Sequence, residues 1–179
     1  MCILLLFLCG CSQSENCLNK GLELRDKLLR TGCSFEAKIT ADYGETVRQF
    51  TLQCTADTEG SVSFTVIQPE SICGITGRLS ERSGELTFDE AALAFPLLAD
   101  GELSPVSSPW IFIHTLRSGY IRSGGMDGGE IRLTIDDSYE EDALQLDIWL
   151  DGQDLPKYVQ ILWQGRSILS MEVCNFTFV

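Results

Sequence analysis

The sequence predicts an α+β protein whose main layer is a large, curved antiparallel sheet of about nine strands, with two or three helices on it. Three observations carry this expectation. Apolar and polar residues alternate with period two along most of the chain. The alternating segments are joined by short turns, and short turns connect only antiparallel neighbours, because a parallel connection needs a long crossover. The alternation stops in two places, once at a leucine-rich stretch with helical spacing and once at an apolar stretch rich in proline.

The first helix is expected from Leu18 to Arg30. Leucines at 18, 22, 28 and 29, with Leu24 beside them, share it with Lys20, Glu23, Arg25, Asp26 and Lys27, and Gly32 supplies the stop. From Phe35 the period becomes two: Phe35, Ala37, Ile39, Ala41 and Tyr43 alternate with Glu36, Lys38, Thr40 and Asp42. Phe50, Leu52, Cys54 and Ala56 repeat the pattern. A turn at Asp57-Thr58-Glu59-Gly60 leads to Val62, Phe64 and Val66, and Pro69 ends that strand. Another strand is expected from Ile72 to Leu79, followed by a turn at Glu81 to Gly84 and a strand with Leu86 and Phe88.

Between about Asp89 and Ile121 the alternation is lost and prolines stand at 96, 105 and 109. Ser108 as N-cap with Pro109 at the first helical position predicts a helix from Pro109 to Arg117. The run from Ser123 to Glu130, with Gly124, Gly125, Gly128 and Gly129, reads as a flexible loop and hinge. Strands resume with Ile131, Leu133 and Ile135 and with Leu144, Leu146, Ile148 and Leu150. A turn at Asp151 to Asp154 follows, then a strand with Val159, Ile161 and Trp163, then a reversal at Gln164-Gly165-Arg166. The closing strand changes parity, from Leu169, Met171 and Val173 to Cys174, Phe176 and Phe178. A bulge near Val173 restores a single face.

The N-terminus is a separate matter. The apolar run Ile3-Leu4-Leu5-Leu6-Phe7 precedes Leu8-Cys9-Gly10-Cys11, which resembles the lipobox of bacterial lipoprotein signals. That resemblance implies residues 1–10 as a signal peptide, removal by cleavage before Cys11, and acyl chains on the Cys11 sulfur. Residues 11–17 are then expected as a tether and residues 18–179 as a single domain. The apolar run is too short for a spanning helix, whereas two or three acyl chains hold a protein firmly at a membrane surface.

The net charge is -13. Such a surface repels phosphate backbones and argues against nucleic acid as a partner. Of eight cysteines, the lipobox resemblance implies that Cys2 and Cys9 leave with the leader and that Cys11 is acylated. Cys17, Cys33, Cys54, Cys73 and Cys174 remain, either as small buried hydrophobes or with one or two bridges whose connectivity the sequence leaves open. Their spacing and the single His114 give no zinc pattern.

Nothing in the chain has the form of a catalytic motif: Gly-x-Ser-x-Gly, the P-loop and His-Glu-x-x-His are absent. His114 lies in an apolar helical stretch without an evident partner. The acidic residues around Tyr139, Asp136-Asp137 and Glu140-Glu141-Asp142, lack the glycine spacing of a calcium loop and read as a solvated turn. The protein is therefore expected to be no enzyme, and no cofactor is expected.

The order of elements resembles the LolA/LolB fold of bacterial lipoprotein carriers. The residues carrying the likeness are the lipobox, Phe35 to Tyr43, Phe64-Thr65-Val66-Ile67-Gln68-Pro69, Gly74-Ile75-Thr76-Gly77, Leu86-Thr87-Phe88 and Val173-Cys174-Asn175-Phe176. More narrowly, the chain is similar to small lipoproteins of Gram-positive bacteria with unassigned function. The resemblance implies an open half-barrel covered by helices, with an apolar cavity between them. Phe50, Leu52, Phe64, Val66, Phe88, Leu146, Ile148 and Trp163 would line the sheet side, facing Trp110, Ile113 and Leu116. The function this implies is a membrane-anchored extracytoplasmic binder of a lipid or apolar ligand, its helices swinging on the glycine hinges. The alternative is a non-catalytic envelope regulator that binds another envelope protein through the same half-barrel.

Overall fold

The computed structural model describes residues 10–42, 47–81, 83–88, 91–95, 98–99, 102–141 and 143–179, and for 10–12 and 83–103 the description extends to the backbone alone. Residues 1–9 of the expected leader (1–10) lie outside it, as do Tyr43 and Asp142.

Helix α1 (Gly10–Arg30) is followed by a meander of strands: β1 (Cys33–Asp42), β2 (Val47–Ala56), β3 (Val62–Gln68), β4 (Thr76–Ser80), β5 (Ser83–Phe88) and β6 (Ala91–Phe95). A two-residue pair, β7 (Leu98–Ala99) with β8 (Glu102–Leu103), precedes a 3-10 turn at Pro105–Ser107 and helix α2 (Ser108–Ser118). The second meander is β9 (Tyr120–Asp127), β10 (Glu130–Asp136), β11 (Leu144–Leu150), β12 (Pro156–Trp163) and β13 (Arg166–Phe178).

All neighbours pair antiparallel in an eleven-stranded sheet of order β6-β5-β4-β3-β2-β1-β13-β12-β11-β10-β9. The two meanders meet where β1 pairs with β13, so β6 and β9 are opposite edges and the sheet is open. The connection between β6 and β9 must therefore cross the sheet, and it carries α2 over one face. Register shifts occur in five pairings, β1/β13, β9/β10, β11/β12, β12/β13 and β2/β3. Bulges of this kind bend strands and give the sheet its half-barrel curvature.

The period-two segments form strands with the predicted faces inward. Phe35, Ala37, Ile39 and Ala41 are buried, as are Leu52, Cys54 and Ala56, and Val62, Phe64 and Val66. Two turns share one device, since a single carboxylate oxygen holds two backbone amides. Asp57 accepts from Glu59 and Ser61, and Asp151 accepts from Gln153 and Leu155. The expected bulge in the last strand lies at Asn175, whose φ of 54° marks the left-handed region. It returns Phe176 to the buried side occupied by Leu169, Met171 and Val173, and leaves Cys174 half-buried.

Four expectations are corrected. The stretch from Ser123 to Glu130 is no hinge: residues up to Asp127 belong to β9, which pairs with β10, and the turn is Gly128-Gly129 alone. Gly124 approaches α1 closely: a Cβ on it would lie 3.1 Å from the Leu18 backbone nitrogen and 3.2 Å from the Cys17 Cβ. The expected tether is helical, because α1 begins at Gly10, and Ser14 Oγ donates to the Gly124 carbonyl at 3.0 Å. The buried face of α1 is Cys17, Gly21, Leu24 and Leu28, while Leu22 and Leu29 are about half exposed. Small residues at 17 and 21 let the helix sit closer to the sheet than a leucine stripe would. Finally, Ser107 rather than Ser108 occupies the N-cap position of α2, without a side-chain cap, and Ser108 Oγ donates to the Pro105 carbonyl at 2.7 Å.

Candidate functional site

The concave face is a continuous apolar surface. Register places Val66, Leu52, Ala37 and Val173 in one row across β3, β2, β1 and β13. A second row runs Ile39, Met171, Val159, Ile148 and Leu133. α2 lies over these rows with Phe112, Ile113 and Leu116 wholly buried and Trp110 and Ile111 nearly so. Phe35 holds Phe112 edge-on at 5.7 Å and stacks on Phe176 at 5.8 Å. Of the residues expected to line a cavity, Leu52, Phe64, Val66, Leu146, Ile148, Trp110, Ile113 and Leu116 are brought together as packed core, with Phe50 half-buried against it. Trp163 does not join them: it is 44% exposed at the tip of the β12–β13 hairpin. The Phe88 and Cys11 side chains lie outside the described residues.

Reciprocal arginines hold the helices in place. From α1, Arg25 Nε donates to the Leu116 carbonyl and Nη2 to the Gly119 carbonyl, both at 2.7 Å, at the C-terminus of α2. From α2, Arg117 Nη1 donates to the Leu28 carbonyl near the C-terminus of α1, and Nη2 reaches the Thr58 carbonyl at 2.7 Å. Each guanidinium thus reaches a carbonyl at the C-terminal end of the partner helix, where its dipole is negative, and Arg117 adds a bond to the β2–β3 turn at Thr58. Swinging α2 away would break four such bonds. It would also expose five large apolar side chains at ~1.5–3 kcal/mol each, on the order of the whole stability of a domain. α2 is accordingly part of the core and does not act as a swinging lid.

The polar residues singled out by sequence are structurally engaged. The His114 ring stacks on Trp110 at 4.7 Å and its Nε2 lies 3.4 Å from Ser118 Oγ. In the acidic hairpin, Asp136 pairs with Arg122 at 2.7 Å, and Asp137 accepts the Leu144 amide at 2.9 Å. Burial pushes the Asp137 carboxyl above the ordinary range, against the opposing pull of that amide. The five described cysteines are free thiols: Cys17, Cys33 and Cys54 buried, Cys174 half-buried, Cys73 exposed. Burial pushes the Cys33 thiol up to about 12, and the Cys54 thiol is raised by burial and by the neighbouring Cys33. Neither forms a thiolate near neutral pH.

The convex face carries a feature that the sequence reading missed. Arg132, Trp149, Tyr158, Glu172 and Lys38 stand directly opposite one another across β10, β11, β12, β13 and β1. Trp149 Nε1 donates to Asp127 at 3.0 Å and the Arg132 guanidinium lies 5.2 Å from the indole centroid. Arg132 also pairs with the buried Asp147, which accepts a further bond from Thr134 Oγ1 at 2.7 Å. Beside this row is an open depression of about 450 Å3, lined by Glu130, Trp149, Lys157, Tyr158, Glu172, Val173 and Cys174.

Comparison with solved structures finds this architecture repeatedly. An uncharacterized conserved protein from Thermus thermophilus aligns with a TM-score of 0.50 at 11% identity, over 90% of this chain and 87% of that one. A domain from Vibrio parahaemolyticus named for outer membrane lipoprotein sorting aligns with a TM-score of 0.50 at 8% identity, over 93% and 92%. The fold is an open half-barrel of the kind seen in that lipoprotein-sorting domain. A LolA superfamily protein from Nitrosomonas europaea aligns at 0.49 with 8% identity, over 93% and 94% of the two chains. No protein-family model and no curated protein matches the chain. In this half-barrel the helices cover the concave face unevenly: α1 packs mainly on β9 and β10, and α2 mainly on α1, β10 and β3.

Proposed function

We propose that this protein is a non-catalytic binder of a lipid or another apolar ligand, exported from the cytoplasm and held at the outer face of the cell membrane by acyl chains on Cys11. The uneven helical cover is the observation that supports the ligand reading best. Beneath α2 the concave face is solid, so a ligand needs the β3–β6 flank, where Val62, Phe64, Val66 and Leu79 are the buried apolar residues of β3 and β4. β6 and the residues just after it are apolar in sequence, from Ala91-Ala92-Leu93-Ala94-Phe95 to Leu97-Leu98-Ala99. An acyl chain held against that flank gains ~0.8 kcal/mol per buried methylene without any movement of α2.

Native mass spectrometry of the protein purified from its own envelope tests this reading, with a co-purifying lipid as the expected result. A bare mass in stoichiometric complex with another protein overturns it in favour of the second reading, an envelope partner bound through the half-barrel. That reading is favoured by the solid packing under α2 and the locked helix pair. Cys11→Ser is expected to move the protein from the membrane to the soluble fraction. Retention at the membrane by the variant would remove the anchor from the proposal.

A further inference from the structure

We infer that the depression on the convex face is a binding site for an organic ammonium group, separate from the apolar face and independent of the function proposed above. Two aromatic rings and one uncommitted carboxylate form it. Trp149 and Tyr158 lie with ring centroids 5.4 Å apart and planes inclined at 54°, which makes a corner rather than the flat platform on which a sugar ring stacks. Their π faces carry partial negative charge and attract a cation, most strongly when it carries a bulky, weakly hydrated shell of methyl groups. The indole already behaves in this way toward Arg132, which approaches it at 5.2 Å and is not among the residues lining the depression. With Nε1 committed to Asp127, the indole offers its face and no hydrogen-bond donor.

The charges point to the same ligand. Among the lining residues are two carboxylates, Glu130 and Glu172, against one ammonium, Lys157. Lys157 is bound to Glu130 at 2.6 Å, and no described ion pair engages Glu172. Glu172 sits between Tyr158 and Lys38 in the sheet; the Lys38 ammonium is paired at 4.0 Å with Glu36 rather than with Glu172, and the Glu172 carboxylate lies next to the aromatic corner. The volume of about 450 Å3 is that of a small-molecule site, and the net charge of -13 adds a field that draws cations toward it. All the side chains come from β10 to β13, so the strands hold the site preformed.

Choline chloride titrated into the full-length protein in a non-ionic detergent, followed by the NMR signals of the Trp149 indole and the Tyr158 amide, is the test. Saturable shifts with a dissociation constant in the millimolar range are expected from two exposed cation–π contacts and one carboxylate. Glu172→Gln and Tyr158→Leu, both at half-buried or exposed positions, should each weaken binding about threefold or more with an unchanged melting temperature. The neutral analogue with carbon in place of nitrogen should not bind. Competition by phosphatidylcholine but not phosphatidylglycerol, each added to the detergent micelles, would identify a lipid headgroup as the source of the ammonium, and its absence a free solute. Unshifted signals at about 50 mM choline, far above the affinity expected from such contacts, would overturn the assignment. Equal binding of the neutral analogue, or full affinity in both variants, would overturn it as well.

Discussion

Replacing Arg25 with alanine removes one half of the reciprocal clamp between α1 and α2. Two guanidinium hydrogen bonds at 2.7 Å are lost, and the Leu116 and Gly119 carbonyls lose their charged partner. Hydrogen bonds involving a charged group contribute about 1.5–3 kcal/mol each. Burial costs Arg25 part of that gain, as the downward pull of desolvation on its pKa shows, and the site keeps some solvent. The net loss expected for Arg25→Ala is therefore about 2–3 kcal/mol, or about 5–10 °C in melting temperature for a chain of this size. Arg117→Ala, which breaks the bonds to Leu28 and Thr58, should cost a similar amount. Urea unfolding at constant m gives the numbers directly. Because the arginines fasten the same two helix ends, the double variant should lose less than the sum, by about 0.5 kcal/mol or more. Arg25→Lys should recover only part of the loss, since an ammonium cannot span two carbonyls as a planar fork does. Single variants within about 0.5 kcal/mol of the parent would refute the claim that the clamp holds α2 in place. Strict additivity would refute its reciprocity.

The remaining predictions concern burial. A thiol reagent applied to the folded protein should modify Cys73 at once, and Cys33 and Cys54 only on unfolding, since both thiols are buried and raised; rapid labelling of Cys54 would contradict its packing. Burial raises the folded-state pKa of Asp137, so the folded state binds this proton more tightly and stability should fall as pH rises from the ordinary carboxylate pKa through the raised value. Asp137→Asn keeps an oxygen for the Leu144 amide and should flatten that decline, read from melting temperatures across acidic pH. Gly119→Ala should destabilise by more than about 2 kcal/mol, because the new Cβ would meet the Asp136 and Thr115 carbonyl oxygens at 2.6 Å; a melting temperature equal to the parent's would contradict that contact.

Much of the fold was legible because period two is a strong signal wherever one sheet face is buried and the other is solvated. β1, β2, β3 and β10 to β13 carry it plainly, and the parity break at Cys174 correctly announced a bulge. The misread elements share one cause. Where two elements approach closely, small residues replace the large apolar ones that make a pattern visible. Cys17 and Gly21 on α1 face Gly124 and Leu133, so the contact with the greatest consequence for α1 looked like a polar tether, a mismatched leucine stripe and a flexible loop. Neither helix pattern shows that Arg25 and Arg117 fasten each other's helix ends, because those bonds go to backbone carbonyls separated from them by 91 and 89 residues.

The convex site was within reach of the same periodicity. Trp149 has the parity opposite to Leu146, Ile148 and Leu150, and Tyr158 the parity opposite to Val159 and Ile161. Large aromatics on the solvated face of two consecutive strands serve no core, and antiparallel pairing of a short hairpin brings them together. Attention to the apolar parity alone selects Trp163, which shares the face of Ile161 yet ends 44% exposed at a hairpin tip. Parity assigns a side chain to a face; whether that face is covered at a given point depends on where α1 and α2 lie, and this is settled by close contacts between glycines and by arginine bonds to backbone that no periodicity records.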